Sequence, residues 1–138
     1  MPKKYYFDTS IWLDFFENRN ELHLPKGDWA HRLMDKIINS DDRILYSDMV
    51  LIELRVLGYQ QHELEMLFQA LKPVLIFVQA TDKQLKRAKD LSLKRNVPKG
   101  DAVHALIARD QQAIFVTLDR HFDTLRDIIN AQRPQDLI

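Results

Sequence analysis

The 138-residue chain contains no cysteine, only three glycines and no long uninterrupted apolar run. Without cysteine, disulfides and thiolate metal sites are excluded, so any metal must be held by oxygen or imidazole ligands. The few glycines leave no Gly-rich loop of the kind that usually cradles phosphates. The apolar segments are too short for a signal peptide or a membrane-spanning helix. We therefore expect a cytoplasmic protein that does not act on a membrane.

The charge of the chain is balanced, with 20 basic and 20 acidic residues. Its 46% hydrophobic and 29% charged residues are typical of a folded soluble protein. The length predicts a single domain spanning residues 1–138. Overall charge therefore argues neither for nor against a nucleic-acid partner. The segment 81–99 is locally basic, which fits either a solvated helix face or a stripe that binds phosphates.

Short apolar runs alternate with longer helical patterns along the chain, and no Gly- or Pro-rich linker divides them. The strands are predicted at Lys4–Phe7, Arg43–Tyr46, Val74–Val78 and Ala113–Thr117, with a weaker candidate near Asp127–Ala131. The helices are predicted near Ser10–Asn18, Trp29–Asn39, Asp48–Tyr59, Gln61–Leu71, Asp82–Lys94 and Asp101–Gln111. This alternation favours an α/β fold in which helices cover both faces of a mostly parallel sheet. Ligands of such sheets bind beyond the carboxyl ends of the strands.

Two aspartates follow predicted strands at that position. Asp8 ends the run "KYYFD", and Asp119 follows the buried-type strand of "AIFVTLD" after one spacer. Each alone is an ordinary helix N-cap. In a parallel sheet, however, both would lie at the same edge, which favours a shared functional role.

Glu53 is predicted within a helix whose neighbouring positions are apolar. It cannot be a cap there, and no basic residue lies at helical spacing to pair with it. A carboxylate in apolar surroundings needs a partner, a shifted pKa or a bound cation. A salt bridge to a distant Arg or Lys is the structural alternative to a functional role.

Asp101 opens a predicted helix after Pro98 and Gly100, where an N-cap role is ordinary. His104, three residues on, stands where a capping box would need Glu or Gln. His104 is either a packed or hydrogen-bonded histidine, or a ligand or RNA contact. Three aspartates and one glutamate suit Mg²⁺ or Mn²⁺, which prefer carboxylate oxygens. Such a site supports phosphodiester hydrolysis.

Four segments of the chain resemble the motifs of PIN-domain ribonucleases, and most of all the VapC-type toxins of type II toxin–antitoxin pairs. The segments are "YYFDTSIWLDFF", "YSDMVLIELRV", "GDAVHALIARD" and "IFVTLDRHFDTL". The resemblance implies a PIN-like α/β/α sandwich and Mg²⁺- or Mn²⁺-dependent cleavage of single-stranded or looped RNA. It implies that four acids form the catalytic metal site, with two hydroxyls contacting those acids: Asp8, Glu53, Asp101 and Asp119, supported by Ser10 and Thr117. Asp14 and Asp123 lie near these motifs and could replace or supplement a ligand.

The resemblance also implies partners for the domain. The candidate RNA-binding residues are Arg55, Lys99, Arg120 and His104, and His121 is available as a further donor. A small antitoxin that blocks the acidic site and a homodimer are further expectations. Two alternatives stay open: a stand-alone PIN nuclease of RNA processing or decay, and a non-catalytic RNA- or protein-binding module in which the acids are caps and salt bridges.

Overall fold

The computed structural model describes residues 1–138 and contains four strands, six α-helices and three short 3₁₀ helices. The strands are β1 (Lys4–Phe7), β2 (Arg43–Ser47), β3 (Leu75–Val78) and β4 (Ile114–Val116). The helices are α1 (Thr9–Glu17), α2 (Lys26–Ile38), α3 (Asp48–Val56), α4 (Gln61–Ala70), α5 (Asp82–Arg95) and α6 (Lys99–Asp110). The 3₁₀ helices span Lys72–Val74, Arg120–Leu125 and Pro134–Asp136.

The strands form one parallel sheet in the order β3-β2-β1-β4, flanked by helices. This confirms the predicted α/β/α architecture. Because β1 and β4 are neighbours with Phe7 opposite Val116, the segments that follow these two strands emerge side by side. The site described below lies at this carboxyl edge.

The apolar character of the strands follows from burial on both faces of the sheet. Tyr5, Tyr6 and Phe7 of β1 are all buried. Trp12 of α1 packs on Phe7 and on Phe68 of α4, with ring centroids 5.3 and 4.9 Å apart. Across the whole chain, none of the helices combines the length and hydropathy needed to cross a membrane.

The structure corrects the prediction at several places. The weaker strand predicted near 127–131 is wrong: the segment is a turn, and only Gln132 beyond it bridges to Val116 of β4. Helix α2 begins at Lys26 instead of Trp29, and α3 ends at Val56 instead of Tyr59. Helix α6 begins at Lys99, two residues before the predicted start, which changes the environment of Asp101.

Candidate active site

Asp8 lies at the carboxyl end of β1 and is joined there to the end of β4. Thr117 and Ser10 donate hydrogen bonds from their hydroxyls to Asp8 Oδ2, at 2.8 and 2.9 Å. Asp8 precedes α1, yet its side chain makes no capping hydrogen bond, so the cap interpretation is wrong for this residue. Two hydroxyls instead fix the orientation of a carboxylate that is only 7% exposed.

Asp119 lies near Thr117, the residue that donates to Asp8, and immediately precedes the 3₁₀ helix Arg120–Leu125. Its backbone N–H donates to Thr117 Oγ1 at 3.0 Å. Its Oδ1 accepts the backbone N–H of His121 at 2.8 Å, so Asp119 does act as a cap. The ring atom Nδ1 of His121 lies 3.2 Å from the same oxygen. Asp119 therefore has a structural role and an imidazole neighbour at once.

Asp101 occupies the first turn of α6 and has no hydrogen-bond or ion-pair partner within the chain. It is the third residue of the helix, after the N-cap Pro98, so the predicted N-cap role is wrong. Burial and the charges of Asp8 and Asp119 raise the pKa of Asp101 to about 6. A bound metal ion would relieve the repulsion between Asp101 and the neighbouring carboxylates.

Glu53 reaches the site from α3 and is held by two polar groups. Its Oε1 accepts a hydrogen bond from Thr9 Oγ1 at 2.6 Å and one from His104 Nε2 at 2.5 Å. Burial opposes the ionisation of Glu53, but His104 and Thr9 outweigh it and lower its pKa. The prediction of apolar surroundings is only partly right, because Val56 and Leu57 are exposed. The pairing partner of Glu53 is a histidine rather than Arg or Lys.

The Glu53–His104 pair is anchored in the core by a hydrogen-bonded network. His104 Nδ1 and Ser47 Oγ each lie 2.6 Å from the hydroxyl of Tyr6. Burial disfavours the charged ring, but the hydrogen bond and the charge of Glu53 prevail and raise the pKa of His104. Sequence reasoning missed this network, since nothing in the spacing of Tyr6, Ser47 and His104 indicates that three different elements converge.

One group of possible metal ligands comprises Asp101, Asp119 and His121, whose ligand atoms all lie within 4.8 Å of one another. Of the four predicted acids, Asp101 and Asp119 belong to this group, while Asp8 and Glu53 lie near enough to raise the pKa of Asp101. His121 joins them, although the sequence indicated it only as a possible RNA contact. The carboxylate-rich donor set fits a hard divalent cation.

The sequence of residues 5–128 matches the family model described as "PIN domain". The chain belongs to the PIN-domain family. This family consists of nucleases, so membership assigns the protein to the hydrolases. A search of curated proteins finds no significant match.

Solved structures share the fold of this PIN domain at low sequence identity. VapBC-1 from nontypeable Haemophilus influenzae superposes with a TM-score of 0.66 at 17% identity, covering 96% of this chain and 98% of that chain. VapBC2 from Rickettsia felis, bound to a promoter DNA fragment, gives 0.63 at 17% identity, covering 94% and 96%. A toxin–antitoxin complex from Klebsiella pneumoniae gives 0.61 at 18%, covering 86% and 89%.

Three of the residues expected to contact RNA are exposed on this PIN domain: Arg55, Lys99 and Arg120. None of them forms an ion pair within the chain, so each positive charge is available to a phosphate. The fourth, His104, is fully buried, and its two ring nitrogens face Glu53 and Tyr6. The expectation that His104 contacts RNA is therefore wrong.

The two additional acids near the motifs are engaged elsewhere. Asp14 is 2% exposed and accepts hydrogen bonds from the guanidinium of Arg19 at 2.9 Å. Asp123 lies on the surface with Arg126 at 3.3 Å. Neither belongs to the cluster of possible ligands.

Proposed function

We propose that this PIN domain is a Mg²⁺- or Mn²⁺-dependent endoribonuclease that hydrolyses phosphodiester bonds in single-stranded or looped RNA. The observation that supports this most is the position of Asp101, a carboxylate without an internal partner among three further acids. In a non-catalytic module whose acids are caps and salt bridges, Asp101 would have such a partner. The arrangement is costly for the protein alone and is explained by a ligand of opposite charge.

In this proposal Asp8, Glu53, Asp101 and Asp119 hold the cation, and His121 lies beside Asp101 and Asp119 as a further possible ligand. Thr117 and Ser10 keep the Asp8 carboxylate in one orientation. The Tyr6–His104 network does the same for Glu53, because it fixes the side chain from the core side. Asp8, Glu53 and Asp119 are thus pre-oriented by hydrogen bonds near the carboxyl edge of the sheet, and precise positioning at a site requires such support.

A divalent cation held by these acids would neutralise charge at the phosphate and lower the cost of deprotonating water. In the reaction, the oxygen of a water molecule forms a bond to phosphorus and the bond from phosphorus to one ribose oxygen breaks. The water loses a proton to the surroundings and the departing ribose oxygen gains one. The exposed cations Arg55, Lys99 and Arg120 would hold neighbouring phosphates, which gives affinity without sequence information.

Cleavage of a panel of structured RNAs with Mg²⁺, Mn²⁺ or EDTA tests the proposal. We expect fragments that depend on metal and a loss of at least about 100-fold in rate for Asp101→Asn. Asp123→Asn is the matched control, since the same change at an exposed acid outside the cluster leaves cleavage intact. Equal cleavage by Asp101→Asn, or none by folded wild-type protein with any metal, would contradict the proposal and favour a binding module.

We further propose that the protein is the toxin of a type II toxin–antitoxin pair. The neighbours in fold from Haemophilus, Rickettsia and Klebsiella are described as VapBC or toxin–antitoxin structures, which supports this role. Expression of the wild-type chain is expected to arrest bacterial growth, and Asp101→Asn to abolish the arrest. Rescue by a small protein encoded next to it would identify the antitoxin. Growth without arrest would favour a nuclease of RNA processing.

A homodimer is the last part of the proposal. Three apolar side chains near the end of α3 are largely exposed: Ile52 at 52%, Val56 at 81% and Leu57 at 59%. Ile52 and Val56 are one helical turn apart and therefore share a face. Exposed apolar side chains grouped in this way are typical of protein–protein contacts.

A further inference from the structure

A small pocket adjoins the acidic cluster and is not used by the chemistry described above. It has a volume of about 150 Å³ and lies between the end of α5 and the 3₁₀ helix Arg120–Leu125. The lining residues are Arg95, Asn96, Val97, Pro98, His121 and Thr124. His121 belongs both to this lining and to the cluster with Asp101 and Asp119, so the pocket opens directly beside the site.

Hydrogen bonds hold the walls of the pocket in place. The Arg95 guanidinium donates to the carbonyl oxygen of Thr124 at 3.0 Å and to both carboxylate oxygens of Asp127 at 2.6 and 2.9 Å. The Thr124 hydroxyl donates to the carbonyl oxygen of His121 at 2.8 Å. The end of α5 is thus tied to the 3₁₀ helix, and the shape of the pocket is preformed.

The chemistry of the lining excludes a phosphate as the natural occupant. Arg95 is the only Arg or Lys side chain that lines the pocket, and its charge is already neutralised by Asp127. The remaining surface is apolar at Val97 and Pro98. A flat, uncharged group with polar edges fits this lining better than an anion does.

Asn96 supplies a polar group that the fold leaves free. It ends α5 in the left-handed conformation with φ of 54°, is exposed, and its amide takes part in no side-chain hydrogen bond of the chain. An amide offers a donor and an acceptor together, the pair needed to read the edge of a base. The imidazole of His121, 71% exposed, provides a flat face on which a base can stack.

We propose that this pocket binds the nucleobase next to the scissile phosphate, with Asn96 reading its edge and His121 stacking on it. The pocket determines which base flanks the cut. The inference rests on the proposed ribonuclease function and extends it to the source of sequence preference, since phosphate contacts carry no sequence information.

Sequencing the ends produced from a random-sequence RNA pool tests this inference, with the metal that supports cleavage. The wild-type protein is expected to show a preference of about fivefold to tenfold for one base beside the cut, as one or two hydrogen bonds provide. Asn96→Gly removes the amide while glycine keeps the left-handed backbone without strain. We expect that preference to fall to near unity in N96G and to move to a different base in N96D, which has lost the amide donor.

Asn18 offers the matched control, because it also ends a helix in the left-handed conformation, with φ of 49°, and does not line the pocket. The variant N18G should keep the wild-type preference. An unchanged preference in N96G, or a wild-type protein that cuts without preference at this position, would contradict the base-binding role of the pocket. Neither result would contradict the proposed nuclease function. Absence of cleavage by the wild-type protein would overturn both.

Discussion

Asp101 is the residue at which function and stability oppose each other most directly. In the folded, metal-free protein, burial and the charges of Asp8 and Asp119 raise its pKa from the ordinary 3.8 to about 6. The folded state therefore binds this proton more tightly than the unfolded chain does. Ionising Asp101 costs folding free energy, which the proposed cation would restore.

We predict that the contribution of Asp101 to the free energy of unfolding of the metal-free protein falls as pH rises from about 4 through about 6. The upper bound is about 3 kcal/mol, since one unit of pKa shift corresponds to about 1.4 kcal/mol. Asp101→Asn should remove this fall and be more stable than the wild type at pH 7. Denaturant unfolding between pH 4 and pH 8, with EDTA present, measures both effects. Identical pH profiles for the two proteins would refute the prediction.

Tyr6 anchors the Glu53–His104 pair, and its hydroxyl can be tested by itself. Tyr6→Phe leaves His104 Nδ1 buried without its partner, so we expect a loss of about 1–3 kcal/mol in unfolding free energy. Tyr46→Phe is the control, because the Tyr46 hydroxyl takes part in no hydrogen bond of the chain. Thermal or urea unfolding compares the two variants, and equal losses would contradict the network's role.

The positions of site residues that follow the ends of strands could be predicted from the sequence. Side-chain pairs that depend on how helices pack against each other could not. Asp8 and Asp119 were predicted to lie at one edge because parallel strands place their carboxyl ends together. The pairing of Glu53 with His104 depends on how α3 packs against α6, which no local spacing encodes. His121 was underestimated for a different reason, since its ring reaches Asp119 through the turn that follows that residue.

Gly100, the second residue of α6, leaves the space that the Glu53 side chain of α3 occupies. A Cβ atom at Gly100 would lie 2.5 Å from Glu53 Oε2. Gly27, likewise the second residue of its helix, α2, would instead place a Cβ 2.5 Å from the backbone carbonyl carbon of Asn18. The same substitution therefore meets a movable side chain in one helix and backbone in the other.

Gly100→Ala should fold with stability within about 1 kcal/mol of the wild type, because alanine favours the helix and the Glu53 side chain can move. Displacing Glu53 should nevertheless reduce the cleavage rate. Gly27→Ala should behave in the opposite way, losing stability while the folded fraction keeps its activity. Melting temperature and cleavage rate per folded molecule, measured for both, separate the two effects. A stable, fully active G100A would show that the site does not need Glu53 in its present position.

Most strands and helices could be predicted from the sequence, because apolar residues recur with different periods, and over different lengths, in strands and in helices. All four main strands and all six helices were predicted near their observed positions. The strand expected near 127–131 failed for a physical reason: Ile128 is buried by a turn that follows the 3₁₀ helix, so its apolar character reflects the core and not a strand. The early start of α6 was missed because Gly100 was read as a helix breaker.

At the scale of the whole molecule, the exposed apolar face of α3 predicts self-association. Val56→Asp should convert the proposed dimer to a monomer, because a carboxylate cannot be buried in an apolar contact without a partner. Leu93 of α5, 76% exposed, is the control: Leu93→Asp changes charge equally but away from this face. Light scattering coupled to size-exclusion chromatography gives the mass of each. A monomeric wild type at tens of micromolar would disprove the dimer.

The hydrogen bond from Thr117 to Asp8 joins residues that are 109 positions apart in the chain. Because synthesis proceeds from the amino to the carboxyl end, Asp8 is made well before β4, Thr117 and Asp119. The acidic cluster is therefore incomplete on every nascent chain that lacks β4. Under the proposed ribonuclease function, cleavage is therefore expected only from chains in which β4 has already joined the sheet.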